Sequence, residues 1–147
     1  MTDVIGFDHI YITVSDMARS EQFYDRLMDI LGFRKNTFAI EGDPHIQYYN
    51  RHFGYVLRPA RSAGGHDAYS PGLHHVCFRV QSVDDVVAVA TQLQGAGIAV
   101  TDPALYPSYA PDYWATFVSD PDGIRLEVTN YRQERRDRHD KWNEMGT

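Results

Sequence analysis

The spacing of apolar residues changes twice along the chain, and in the same way each time. Over residues 9–14, Ile10, Ile12 and Val14 alternate with His9, Tyr11 and Thr13, the period-two pattern of a half-buried strand. The period then lengthens. Phe23, Leu27, Ile30 and Leu31 fall at helical spacing, Ser15 or Asp16 can cap the first turn, and Gly32 suits the position past the last. Residues 75–98 repeat the plan. Val76, Phe78 and Val80 alternate with His75, Cys77 and Arg79. Val83, Val86, Val87, Ala90 and Leu93 then line a helix that Ser82 and Asp85 open like a capping box and Gly95 ends.

Strand-like segments follow each helix. The first half offers "HIQYYN", a turn near "RHFG" and "YVLRP"; the second offers "YWATFV", "DPDG" and "IRLEVTN". In "DPDG" the proline presets φ and the glycine supplies a positive φ, so this is a turn. The stretch 60–72, "ARSAGGHDAYSPG", is small, polar and turn-rich and reads as a linker. These elements predict an α+β fold of paired βαβββ modules within one domain, 1–131. Module one is 5–59, the linker 60–72 and module two 73–131. A charged tail, 132–147, reads as a solvated helix that Trp142 could dock.

The repeat sorts the adjacent histidines of "GLHHVCFRV". Strand neighbours point to opposite faces, and His75, not His74, stands where His9 stands in the first unit. His74 shares its face with Val76, Phe78 and Val80, so the expectation is a structural His74 packed on the helix and a functional His75. In the last strand Ile124, Leu126 and Val128 form the apolar face, and Arg125, Glu127 and Thr129 the other. A carboxylate in a half-buried strand is costly unless it is paired or bound to metal. Two histidines and one carboxylate are a known set for a divalent metal with open positions.

Composition narrows the partners. The chain of 147 residues is 43% hydrophobic and carries a formal net charge of -6, with no basic cluster outside the tail. Nucleic acid and anionic membrane are therefore not expected as main partners. No stretch approaches the roughly 18 apolar residues of a membrane span. The start, "MTDVIGFDHIYITV", has no basic region followed by a long apolar run, so no signal peptide is expected. Cys77 is the only cysteine, which excludes an internal disulfide and fits a cytoplasmic location. It reads as a small buried thiol. His45, His52, His66 and His139 sit in turn-like or charged surroundings and read as surface residues.

The segments "FDHIYITVSD…FYDRLMDILGF", "LHHVCFRV" and "FVSDPDGIRLEV" resemble the first, third and last signature segments of the vicinal oxygen chelate superfamily. That group includes glyoxalase I, methylmalonyl-CoA epimerase, extradiol dioxygenases, fosfomycin-resistance enzymes and bleomycin-binding proteins. The resemblance covers residues 5 to 131. It implies modules that curl into a cup-shaped mixed sheet around a divalent metal (Fe, Mn, Ni or Zn) held by His9, His75 and Glu127. It also implies a homodimer, with modules paired within or between chains. Glyoxalase I and the epimerase add a fourth ligand, Glu or Gln, from the last strand of module one. Aligning Gly54 with Gly123 puts Arg58 there, and aligning on the following proline puts Tyr55 there.

The function implied is that of a metal-dependent enzyme whose small substrate chelates the ion through adjacent oxygens. Glyoxalase-like lyase or isomerase chemistry, with Glu127 as the catalytic base, and ring-cleaving dioxygenase chemistry both remain open. The alternative is a non-catalytic small-molecule binder of the antibiotic-resistance type. Arg58 suits an anionic substrate group, and Tyr55 joins it as a candidate contact. Tyr109, Tyr113 and Trp114 in the aromatic stretch 106–117 could wall an apolar substrate.

Overall fold

The computed structural model describes residues 1–146. Contacts divide it into two units. Unit one is Met1–Asp67 together with the turn Asp120–Ile124, and unit two is Ala68–Ser119 with the chain from Arg125 on.

In unit one, β1 (His9–Val14) leads into α1 (Met17–Ile30), then β2 (Arg34–Ile40), β3 (Asp43–Tyr49) and β4 (Gly54–Pro59). The sheet order is β1-β4-β3-β2, with β1 and β4 parallel and the other pairs antiparallel. Asp16, not Ser15, caps α1 by accepting the Arg19 backbone N–H at 3.1 Å. Ser15 instead gives its backbone N–H and hydroxyl to Asp122. The helix buries Phe23, Tyr24, Leu27 and Met28, so Tyr24 and Met28 take the core places expected of Ile30 and Leu31, which are half-buried. The hairpin between β2 and β3 turns on Glu41 (φ 51°) and Gly42 (φ 83°), the two positive φ values of a tight hairpin turn.

In unit two, β5 (His75–Val80), α2 (Val83–Gly95), β6 (Ala104–Leu105), β7 (Trp114–Ser119) and β8 (Arg125–Asn130) form the same plan, in sheet order β5-β8-β7-β6. Ser82 caps α2 by accepting the Asp85 N–H at 3.2 Å. Val86, Val89, Ala90 and Leu93 are buried, whereas Val87 is 43% exposed. Gly95 stays helical, and the positive φ that ends the helix belongs to Gly97 (φ 76°). α3 (Gln133–Asp140) follows with no buried residue, and Trp142 beyond it is exposed.

The two parallel pairings fix how the modules correspond. His9 lies opposite Gly54 and Tyr11 opposite Val56; His75 lies opposite Arg125 and Cys77 opposite Glu127. With His9 and His75 equivalent, Glu127 corresponds to Val56. This corrects both sequence alignments, which chose Arg58 or Tyr55. Gly54 is a paired strand residue opposite Tyr49, while Gly123 sits in the turn at φ 84°, so aligning the two glycines slips the register by two.

Candidate functional site

Unit two gathers most of the chemistry. His75, Cys77 and Arg79 of β5 share one sheet face with Arg125, Glu127 and Thr129 of β8 and with Ala115 and Phe117 of β7, as the strand pairings require. The opposite face packs Val76, Phe78, Val118, Leu126 and Val128 into the core. Glu127 thus sits on the histidine face, yet it is only 4% exposed.

Each oxygen of Glu127 has its own neighbour. Tyr113 donates its hydroxyl to Oε2, and Oε1 stands 3.5 Å from His75 Nε2. Burial, then the hydrogen bond to Glu127, raises the Tyr113 hydroxyl above the usual phenol range, so it stays a donor. Cys77 as a residue is exposed rather than buried as expected. Its sulfur nevertheless lies among Glu127 and Tyr113, and desolvation followed by the carboxylate charge pushes the thiol up to about 12. It therefore keeps its proton at neutral pH.

Arg132 buttresses this arrangement, a role that no local sequence pattern signals. It opens a tail that reads as solvated, but it is 5% exposed. Its guanidinium lies 4.3 Å over the Tyr113 ring, Nη1 donates to Thr129 Oγ1 and Asn130 O, both at 3.2 Å, and Nε donates to Glu134 at 3.0 Å. Cation–π contact and charge-assisted hydrogen bonds together hold the ring that holds the carboxylate.

The aromatic stretch separates into two roles. Tyr109 is 59% exposed, stacks on Tyr106 at 5.3 Å and meets Tyr113 edge-on at 5.3 Å. Tyr106 in turn meets Phe117, so these rings line the Glu127 face. Trp114 does not join them. It alternates with Tyr113 and Ala115, pairs with Leu105 and points to the helix side, which corrects its expected place in a substrate wall.

His74 also departs from expectation. It precedes β5, is exposed, and packs its ring edge-on against Tyr69 and His75 instead of against α2. Its Nδ1 lies 2.7 Å from His75 Nδ1.

In unit one, His9 bonds Asp8 Oδ1 through Nδ1 at 2.6 Å, leaving Nε2 available. A histidine with Nδ1 on a carboxylate and Nε2 open is oriented as metal-binding histidines are. Tyr55 is fully buried, pairs with Ile10 on the helix side and shares a hydrogen bond with Tyr24 at 2.9 Å. Its expected role as a substrate contact is thereby corrected. Arg58 does share the His9 face, where its Nη2 donates to Asp43 Oδ2 at 2.5 Å. His45, expected at the surface, is 1% exposed, with its Nδ1 on Asp43 O at 2.9 Å and its ring stacked on Phe38. His52 and His139 are exposed.

Among the described residues no three His, Cys, Asp or Glu side chains stand together at metal-holding distance. The donors present nevertheless suit a divalent ion: an imidazole Nε2 and a carboxylate Oε1 3.5 Å apart in unit two, and a carboxylate-oriented imidazole in unit one. Such N and O donors serve zinc, iron, manganese or nickel.

Two four-stranded mixed sheets, each built from a βαβββ unit with a histidine on its first strand, define the class of this protein. Residues 6–128 match the Glyoxalase/Bleomycin resistance protein/Dioxygenase superfamily, and the chain belongs to it. It is 31% identical over 129 residues to the uncharacterized protein YaeR of Escherichia coli (strain K12), covering 82% of this chain and 92% of that one. Virulence protein STM3117 of Salmonella typhimurium (strain LT2) is 26% identical over 132 residues, covering 84% and 83%. A solved glyoxylase/bleomycin resistance protein/dioxygenase domain from Frankia sp. EAN1pec superposes with a TM-score of 0.70 at 25% identity, covering 90% of this chain and 99% of that one.

Proposed function

We propose that the protein is a divalent-metal-dependent enzyme acting on a small substrate that presents adjacent oxygens. The observation that carries this is the convergence of His75 Nε2 and Glu127 Oε1 on one face, with Glu127 Oε2 already engaged by Tyr113. A buried carboxylate with one oxygen held by a phenol and the other facing an imidazole has the form of a half-built coordination site. His9 is the third ligand in this reading, supplied by the same chain or by a second copy. When bound, the ion supplies Lewis acidity toward the substrate oxygens.

The chain's own groups do the rest. Tyr113 fixes the carboxylate, and Tyr109, Tyr106 and Phe117 give the substrate an aromatic wall. Glu127 Oε1 is the atom that would take a proton from a bound substrate. Val56, where Glu127 has its counterpart, offers no fourth protein ligand. That favours the three-ligand pattern of dioxygenases and fosfomycin-resistance enzymes over the four-ligand pattern of glyoxalase I. Arg58 reaches a substrate anion only by releasing Asp43.

The test is metal content by inductively coupled plasma mass spectrometry on untagged protein purified without chelator, beside His75→Ala, Glu127→Ala and His9→Ala. About one ion per chain in wild type and little in the three variants is the expected result. Iron then directs the search to ring cleavage, and nickel or zinc to lyase or isomerase chemistry. Wild type that neither carries nor takes up metal overturns the reading and leaves a small-molecule binder.

A further inference from the structure

The two Nδ1 atoms of His74 and His75 face one another at 2.7 Å. At that separation a single proton lies between them, donated by one ring and accepted by the other. Two arrangements satisfy this. In the first, His74 donates, and the His75 proton sits on Nε2. In the second, His75 donates from Nδ1, and its Nε2 is a bare lone pair turned to the Glu127 side. The first arrangement gives the Nε2 proton only Glu127 Oε1, 3.5 Å away, beyond the 2.7–3.2 Å of a good N–H···O bond. The second turns the bare Nε2 lone pair toward Glu127 Oε1, two electron-rich atoms 3.5 Å apart that call for a cation between them.

His74 is itself held for the task. Tyr69 packs edge-on against its ring at 5.2 Å, and the His75 ring meets it at 5.0 Å and 78°. We propose that His74 is a positioning residue: its Nδ1 accepts the His75 Nδ1–H, fixing the tautomer and ring orientation that present His75 Nε2 to a divalent cation. It does for His75 what Asp8 does for His9, with an imidazole in place of a carboxylate. This rests on the reading of His75 and Glu127 as metal ligands.

Two readouts test it on the full chain, using His74→Ala and His74→Asn. Asparagine keeps an acceptor oxygen where histidine has Nδ1, so it is the rescuing variant. His74 is exposed and outside the strand, and melting temperature verifies that both variants fold. The first readout is zinc affinity by competition with a chromogenic chelator. Loss of an outer hydrogen-bond partner typically weakens metal binding by about 10- to 100-fold; the alanine variant is expected in that range and the asparagine variant within a few-fold of wild type. The second is the His75 Nδ1–H proton in zinc-loaded protein, from ¹⁵N–¹H spectra at about pH 8, above the ordinary histidine value of ~6.5. Wild type and His74→Asn are expected to show a downfield, slowly exchanging Nδ1–H, and His74→Ala to lose it to exchange with water.

Unchanged zinc affinity and an unchanged Nδ1–H resonance in His74→Ala overturn the positioning role while the metal reading stands. A wild type that takes up no zinc removes the metal reading and, with it, the positioning role that rests on it.

Discussion

Tyr113 and Glu127 show how much of this site depends on single hydroxyls and charges. Removing the phenol oxygen by Tyr113→Phe leaves the ring under Arg132 but strips Oε2 of its donor. The expected result is a loss of about 1 kcal/mol in urea unfolding and, in the metal reading, at least about 10-fold weaker zinc binding. Two other carboxylates give stability opposite pH dependences. The Arg61 hydrogen bond, with the Arg58 and Arg61 charges, outweighs desolvation and holds Asp43 below the ordinary 3.8. Its contribution is present above that value and lost as pH falls through the lowered folded value. Asp120 goes the other way. Burial raises it against hydrogen bonds from the Ile124 N–H, the Tyr24 hydroxyl and the Asp122 N–H, so the folded chain binds that proton more tightly than the unfolded one. Its contribution is full below 3.8 and declines as pH rises through the raised value. Urea midpoints across the acidic range should therefore fall less at low pH in Asp43→Asn and decline less with rising pH in Asp120→Asn than in wild type.

Among the elements, the helices and their caps were the most legible. Ser82 does cap α2, and Ser82→Ala is expected to cost about 1 kcal/mol. The same helix does end at Gly95, but the positive φ past it belongs to Gly97, and only the backbone says which of two glycines adopts it. At Gly97 an added Cβ meets nothing within 4 Å, so Gly97→Ala isolates the conformational cost of φ 76°, about 1–2 kcal/mol. Gly95→Ala, in helical backbone, should instead be neutral to stabilising by up to about 1 kcal/mol. Thermal or urea unfolding of the pair separates the two readings. β2 passed unnoticed because "RKNTFAI" buries almost nothing: only Phe38 is half-buried on this edge strand. A strand with two wet faces has no alternation to read.

For the molecule as a whole, a bound ion is a linkage statement. Any ligand held only by the folded state adds RT ln(1 + [L]/Kd), about 2.7 kcal/mol at a hundredfold excess over Kd. For a chain of this size that raises Tm by roughly 5–10 °C. Zinc at such an excess should produce that shift in wild type and none in Glu127→Ala, followed by differential scanning fluorimetry.

The repeated change of period, the charge, and the face shared by His75 and Glu127 were all determined by the order of residues, since side-chain alternation along a strand is local geometry. That was enough for the two βαβββ units, the superfamily and the common face of His75 and Glu127. What only the tertiary structure decided depends on which strand lies beside which, and in what register. Parallel pairing set Val56, rather than Arg58 or Tyr55, at the place equivalent to Glu127. The fold also turned Tyr55 and Trp114 to the helix side and brought Arg132 back over Tyr113. Those contacts join residues by hydrogen bonds across strands and around chain ends, where sequence distance carries no information about spatial distance.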